Sequence, residues 1–148
     1  MLERFERFSY GIFEISRCWH RLAAEEMEKY GLKGPYAVYL LALWRSNDGI
    51  TAAQLCEICA RDKADVSRAI HAMEEKGLVC REGNSYRALL KLTSAGETAA
   101  QHVCQRASIA VEHAGKGFSD RHREIFYQVL DTITANLQVL SKEGLPNQ

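Results

Sequence analysis

The chain has 148 residues, a common size for one domain, and 47% of them are hydrophobic and 26% charged, which is enough to build a core without staples. Its 19 Lys and Arg are balanced by 19 Asp and Glu, so it lacks the broad basic field typical of a nucleic-acid binder. No apolar run reaches membrane-spanning length, and the opening MLERFERFSY carries charges where a signal peptide needs an apolar stretch; a cytoplasmic protein with no membrane partner is expected. The five cysteines, Cys18, Cys56, Cys59, Cys80 and Cys104, are odd in number and scattered, as reduced thiols are.

From Leu2 to about Lys29 the residues Phe5, Phe8, Ile12, Ile15, Trp19 and Leu22 recur at steps of three and four, the seam of a long amphipathic helix. Gly11 within it is expected to admit a close neighbour. Gly31 reads as a stop, Pro35 as the start of a second helix and Asn47-Asp48-Gly49 as its end; the intervening AVYLLALW is apolar nearly all round and should be buried. Thr51 and Asp62 are N-cap residues for two further helices, the second ending at Gly77, with Asp65 three residues after Asp62 in a weak capping-box spacing. Beyond Gly77 a period of two on both sides of Glu82-Gly83-Asn84-Ser85 predicts a β-hairpin. Thr93 or Ser94 then caps a helix through Val103, Ala107, Val111 and Ala114. Ser119-Asp120 restarts the chain as a last helix with Phe126, Val129, Ile133, Leu137 and Leu140 on one seam.

The expected fold is mainly α with a small β-hairpin wing. Two short helices, a tight turn and a hairpin immediately after the second helix form the plan of a winged helix-turn-helix. At about 100° per residue, Val66, Ala69, Ile70 and Met73 fall on one side of the second helix and Ala64, Ser67, Arg68 and His71 on the other. Small, hydroxyl, guanidinium and imidazole groups near a helix N-terminus fit a DNA groove, Arg68 being suited to guanine. Lys63 stands beside the helix start, where it could hold a phosphate. Glu75 lies on the same face two turns on, at the end that points away from DNA. The hairpin adds Arg81, Asn84, Ser85 and Arg87, a basic and polar cluster for a minor groove or backbone. A solvated amphipathic helix and a solvent-facing turn are the plain alternatives for each part alone; together, within Thr51 to Thr93, the two parts are more specific.

The run ITAAQLCEICARDKADVSRAIHAMEEKGLVCREGNSYRALLKLTSAGETAA resembles the winged-helix core of the multiple antibiotic resistance regulator (MarR) family. The residues that carry the resemblance are Thr51, Leu55, Asp62-Lys63, Val66-Ser67-Arg68, Glu74, Lys76-Gly77-Leu78-Val79, Leu92-Thr93 and Gly96. The flanking helices match the family's layout as well. The resemblance implies one domain over 1–148, with a DNA-binding lobe at 35–93 and dimerisation helices at 2–30 and 94–143. It further implies a homodimer that places two recognition helices in the major groove of a pseudo-palindromic double-stranded operator. The wing departs from the family pattern. Nine and seven places before Thr93, where the family has an acid and an arginine, stand Asn84 and Tyr86, and Arg87 comes one place late, as in a shortened wing.

Such regulators usually take a small molecule between lobe and dimer helices, and the resemblance puts Trp19, His20, Tyr36 and Tyr39 near that crevice as contacts for a small aromatic effector. Core packing is the alternative for Trp19 and Tyr39. Cys56 and Cys59 fall at positions where the family has small or aliphatic core residues and read as structural. A zinc site would need two more ligands, and His102, Cys104 and His113 offer only loose spacing; no cofactor or metal is expected. Cys18, two places from His20, is a candidate peroxide-sensing thiol. The expectation is therefore a dimeric transcriptional regulator, a repressor released by an effector. The competing readings are a winged helix used for protein interaction, which the neutral charge permits, and a thiol-based redox-sensing regulator. No nucleophile and base pair or phosphate loop speaks for an enzyme.

Overall fold

The computed structural model describes residues 2–83 and 87–146. Among these the order is α1 (Leu2–Glu28), a single tight turn (Gly34–Tyr36), α2 (Ala37–Arg45), α3 (Ala52–Cys59), α4 (Lys63–Glu75), β1 (Val79–Glu82), β2 (Leu89–Leu92), α5 (Ser94–Ala114) and α6 (Asp120–Glu143). The expected succession of four helices, a hairpin and two helices is the one observed. No helix of the described residues is long and apolar enough to cross a membrane.

The chain divides into two compact units, Met1–Ser108 and Ile109–Gln148. The first holds the core: Met27 from α1, Tyr39, Leu40 and Leu43 from α2, Leu55 from α3, Val66, Ile70 and Met73 from α4, Leu90 from β2, and Ala99, Ala100 and Val103 from α5 are all buried. Each large side chain among them contributes about 1.5–3 kcal/mol by leaving water. α2 sends Ala37, Tyr39, Leu40, Ala42 and Leu43 into this cluster and packs Leu41 and Trp44 partly against it, but Val38 is exposed, so the apolar run is not buried throughout.

Local chemistry sets the ends of the elements. Thr51 caps α3 in a full capping box, its hydroxyl accepting from the Gln54 N–H while the Gln54 side chain accepts from the Thr51 N–H. Asp62 caps α4 by accepting from the Asp65 N–H at 2.7 Å. At the other end of α4, Gly77 takes a left-handed φ of +70°. Its N–H donates to Glu74 and that of Leu78 to Met73, a Schellman arrangement that turns the chain straight into β1. Thr93 caps α5, accepting from the Gly96 N–H at 3.1 Å, and its own hydroxyl donates to the Gly77 carbonyl at 2.6 Å. The motif residues Gly77-Leu78, Leu92-Thr93 and Gly96, spread over 20 positions of sequence, thus meet at the base of the wing.

β1 and β2 pair antiparallel with Val79 opposite Leu92 and Glu82 opposite Leu89. Ile50, just before α3, bridges to Leu90 on the other side of β2, exchanging two backbone bonds of 3.1 and 2.7 Å. No strand pattern around Ile50 in the sequence announces this bridge. Close helix approach also occurs elsewhere than expected: a β-carbon on Gly11 would meet nothing within 4 Å, whereas one on Gly34 would stand 2.9 Å from the Ala24 Cα. Neighbouring segments come close at Gly34 and Gly96, and within the single chain not at Gly11.

In the second unit, Ser119 caps α6 by accepting from the His122 N–H, and Arg123 reaches Glu112 at 3.4 Å. No described residue of α6 is buried.

Candidate nucleic-acid interface

α3 and α4 are joined by a three-residue turn, 60–62. Ala60 closes α3 in a left-handed conformation, φ +50°, which an alanine adopts only under strain of about 1–2 kcal/mol. The Arg61 N–H returns to the Cys56 carbonyl, and Asp62 starts α4 at once. α4 then presents two faces. Val66, Ala69, Ile70 and Met73 are buried, and Lys63, Ala64, Ser67, Arg68 and His71 are exposed, as the helical spacing predicts. The structure therefore gathers all five recognition-helix candidates on one solvent face, backed by a packed core that fixes the helix axis.

That face is internally paired. Arg68, with 65% of its side chain exposed, lies 3.6 Å from the Asp65 carboxylate. His71, 73% exposed, lies 3.5 Å from Glu75. Asp65 does not return to the Asp62 N–H as a capping box would require; its second oxygen accepts from the hydroxyl of Tyr39 on α2. Burial, and then the hydrogen bond to Asp65, pushes the Tyr39 phenol up. The same hydrogen bond, followed by the charges of Arg68 and Arg61, holds the Asp65 carboxyl below the usual carboxylate range. The link spans 26 positions of sequence, and no local signal announces it.

The wing candidates are placed differently. Arg81, on β1, turns back to Glu74 at the end of α4, 2.5 Å away, so it fastens the wing to α4. Arg87 is exposed in the turn before β2. Asn84 and Ser85 lie outside the described residues, as does Tyr86. Lys91 pairs with Glu82 across the hairpin at 3.0 Å.

Of the residues read as effector contacts, Trp19 and His20 are exposed on α1, the latter with Nδ1 3.2 Å from the Ser16 hydroxyl. Tyr36 and Tyr39 are buried, their ring centres 6.2 Å apart. Cys56 and Cys59 pack partly against the core. The Cys59 thiol donates to the Val38 carbonyl at 3.9 Å, and burial pushes it up, the opposite of what a reactive thiolate needs. Cys18 and Cys80 are exposed.

A family model for MarR proteins matches residues 30–106, more than half of the chain and the whole of the helix-turn-helix and wing. The chain belongs to the MarR family. Solved structures of MarR regulators share its winged-helix fold. A MarR transcriptional regulator from Methanosarcina mazei is 24% identical, with a TM-score of 0.77 over 90% of this chain and 92% of that one. A putative MarR-family regulator from Listeria monocytogenes, solved with a 26mer DNA, is 23% identical, with a TM-score of 0.77 over 94% and 96%. MepR of S. aureus, also solved as a DNA complex, is 18% identical with a TM-score of 0.77 over 89% and 97%. No curated protein matches. Within this MarR-family chain, the residues that carried the resemblance are the caps Thr51 and Asp62, the buried Leu55 and Val66, the exposed Lys63, Ser67 and Arg68 of α4, and the junction at the wing's base.

Proposed function

We propose that the chain is a sequence-specific regulator of transcription that binds a pseudo-palindromic operator as a homodimer. One observation carries the reading: Lys63, Ala64, Ser67, Arg68 and His71 share the solvent face of a helix whose opposite face is locked into the core. A groove reader needs both, since base contacts work only when the helix is held in register. The homodimer rests on two apolar stripes without cover in the single chain. On α1, Phe5, Phe8 and Ile12 are 67%, 44% and 46% exposed; on α6, Phe126, Val129, Leu130 and Leu137 are exposed as well. Stripes of this extent are interface material, not ordinary surface. Repression, with release by a small aromatic effector, belongs to the same reading; Trp19 and His20 are open to a ligand, whereas Tyr36 and Tyr39 face the core.

The test is selection of duplexes from a random library by the purified protein, with its mass measured in solution. The expected result is a particle of twice the chain mass that enriches an inverted repeat and loses that preference with Arg68→Ala. A protein that enriches no sequence, or whose Arg68→Ala variant binds every duplex as before, would overturn the proposal. The neutral charge permits one rival, a winged helix that docks on another protein. It predicts no salt-dependent DNA binding and a stable partner in pull-downs.

A further inference from the structure

Arg68 is the candidate base reader with the longest reach, and a long flexible side chain reads a base well only when its guanidinium is already aimed. The structure contains a device that aims it. Asp65 stands one turn before Arg68 and has two engaged oxygens: one accepts from the Tyr39 hydroxyl, and the other faces the Arg68 Nη2 at 3.6 Å. Tyr39 itself is 1% exposed, packed between the Tyr36 ring and the core. Its hydroxyl is therefore a fixed point. The Asp65 backbone is fixed as well, since its N–H donates to the Asp62 cap.

An acid in the first turns of a recognition helix would ordinarily repel the phosphates it approaches. Here the Tyr39 hydroxyl draws the carboxylate towards the lobe and leaves its free side to Arg68. A guanidinium has five N–H donors, so one edge can rest on Asp65 while another meets the two acceptors of a guanine.

We propose that Asp65, anchored by the Tyr39 hydroxyl, is a positioning residue that sets the direction of Arg68 and thereby the sequence preference of the protein. The inference rests on the DNA-binding reading above. Tyr39 is then a core residue with a role in specificity, acting through two side chains.

The experiment is a double-mutant cycle on the full-length protein. Its probes are duplexes enriched from a random library by the wild type and a scrambled duplex of equal length, and it reads the ratio of the two affinities. Tyr39→Phe keeps the ring and removes the hydroxyl. It is expected to lower the ratio about five- to tenfold, a fraction of what a full arginine–guanine pair supplies, and to change it less than about twofold when Arg68 is already alanine. Asp65→Asn, at a half-buried site, should lower the ratio in the same Arg68-dependent way and tighten binding to the scrambled duplex. Thermal melting identifies a Tyr39→Phe protein that fails to fold, in which case the Asp65→Asn cycle decides. Equal losses with and without Arg68, or no loss at all, overturn the positioning role while the DNA reading stands. If the wild type enriches no sequence, or Arg68→Ala leaves the ratio unchanged, the DNA reading itself falls and takes this inference with it.

Discussion

Gly96, in the first turn of α5, lies directly against the backbone of Leu78. A β-carbon at Gly96 would overlap the Leu78 carbonyl oxygen, and would stand 2.9 Å from the carbonyl carbon and 3.2 Å from the Leu92 Cβ. The Leu78 carbonyl cannot retreat freely, because it accepts the Thr93 N–H at 3.0 Å. Alanine is favoured over glycine by about 1 kcal/mol in a helix, yet Gly96→Ala should destabilise the protein by about 2–3 kcal/mol, since the clash is with backbone. Urea unfolding measures it; an unchanged or higher midpoint would mean that the wing's base is looser than this geometry.

Glu26, near the end of α1, is the hub of a second network. It accepts from Lys29 at 2.6 Å and Arg106 at 2.9 Å and lies 3.0 Å from His102 Nε2, with Tyr30 edge-on to the His102 ring. The hydrogen bond from Lys29, with those from Arg106 and His102, outweighs burial and lowers its carboxyl from 4.5 to about 2. The folded form thus binds this proton less tightly than the unfolded chain. The stabilisation is complete above the unfolded value of 4.5, shrinks as pH falls, and is lost below about 2. Glu26→Gln should cost about 1 kcal/mol at neutral pH. It should also flatten the fall in melting temperature between pH 4.5 and pH 2. A variant with the wild-type acid profile would show that other carboxylates govern the acid limb.

Much of this was legible because it is local. Thr51 and Asp62 announce helix starts through their own side chains, Gly77 announces a stop through its left-handed φ, and the buried face of α4 follows from helical spacing alone. What was illegible depends on partners far away in sequence. Asp65 has the position of a capping-box residue, but Tyr39 competes for its carboxylate from another helix. Arg81 has the chemistry of a phosphate contact and sits where Glu74 can take it. Ile50 has no strand pattern around it and pairs only because β2 runs alongside. Seams such as Phe5, Phe8 and Ile12 reveal an apolar face without saying what covers it, and within the single chain these residues stay exposed.

The pair between Arg81 and Glu74 gives a direct test of the wing. Both ends are partly exposed, 46% and 27% by side chain, so the coupling between Arg81→Ala and Glu74→Ala in a stability cycle should be about 0.3–1 kcal/mol. Because Arg81 already has an acidic partner, Arg81→Ala should weaken binding to enriched duplexes by a smaller factor than Arg68→Ala. Anisotropy titrations of the two variants compare them. A larger loss for Arg81 would place the wing ahead of the helix in DNA contact.

Charge sets the last expectation. Between Thr51 and Thr93 seven Lys and Arg face six acids, and on α4 both Arg68 and His71 have an acid within 4 Å. Such a surface cannot neutralise many phosphates, so affinity should fall with salt less steeply than for a broadly basic protein. Lys63 has no role in the core and stands exposed at the N-terminus of α4, where a phosphate contact is favoured by the helix dipole as well as by its own charge. Lys63→Ala should therefore reduce the slope of log affinity against log salt by about 1 per subunit and leave the enriched sequence unchanged. Arg68→Ala should do the reverse, relaxing one position in each half-site. Titrations over a salt series, combined with library selection by both variants, separate the two roles. If Lys63→Ala shifted the enriched sequence while leaving the slope intact, Lys63 would be the base reader and the assignment along α4 would have to be exchanged.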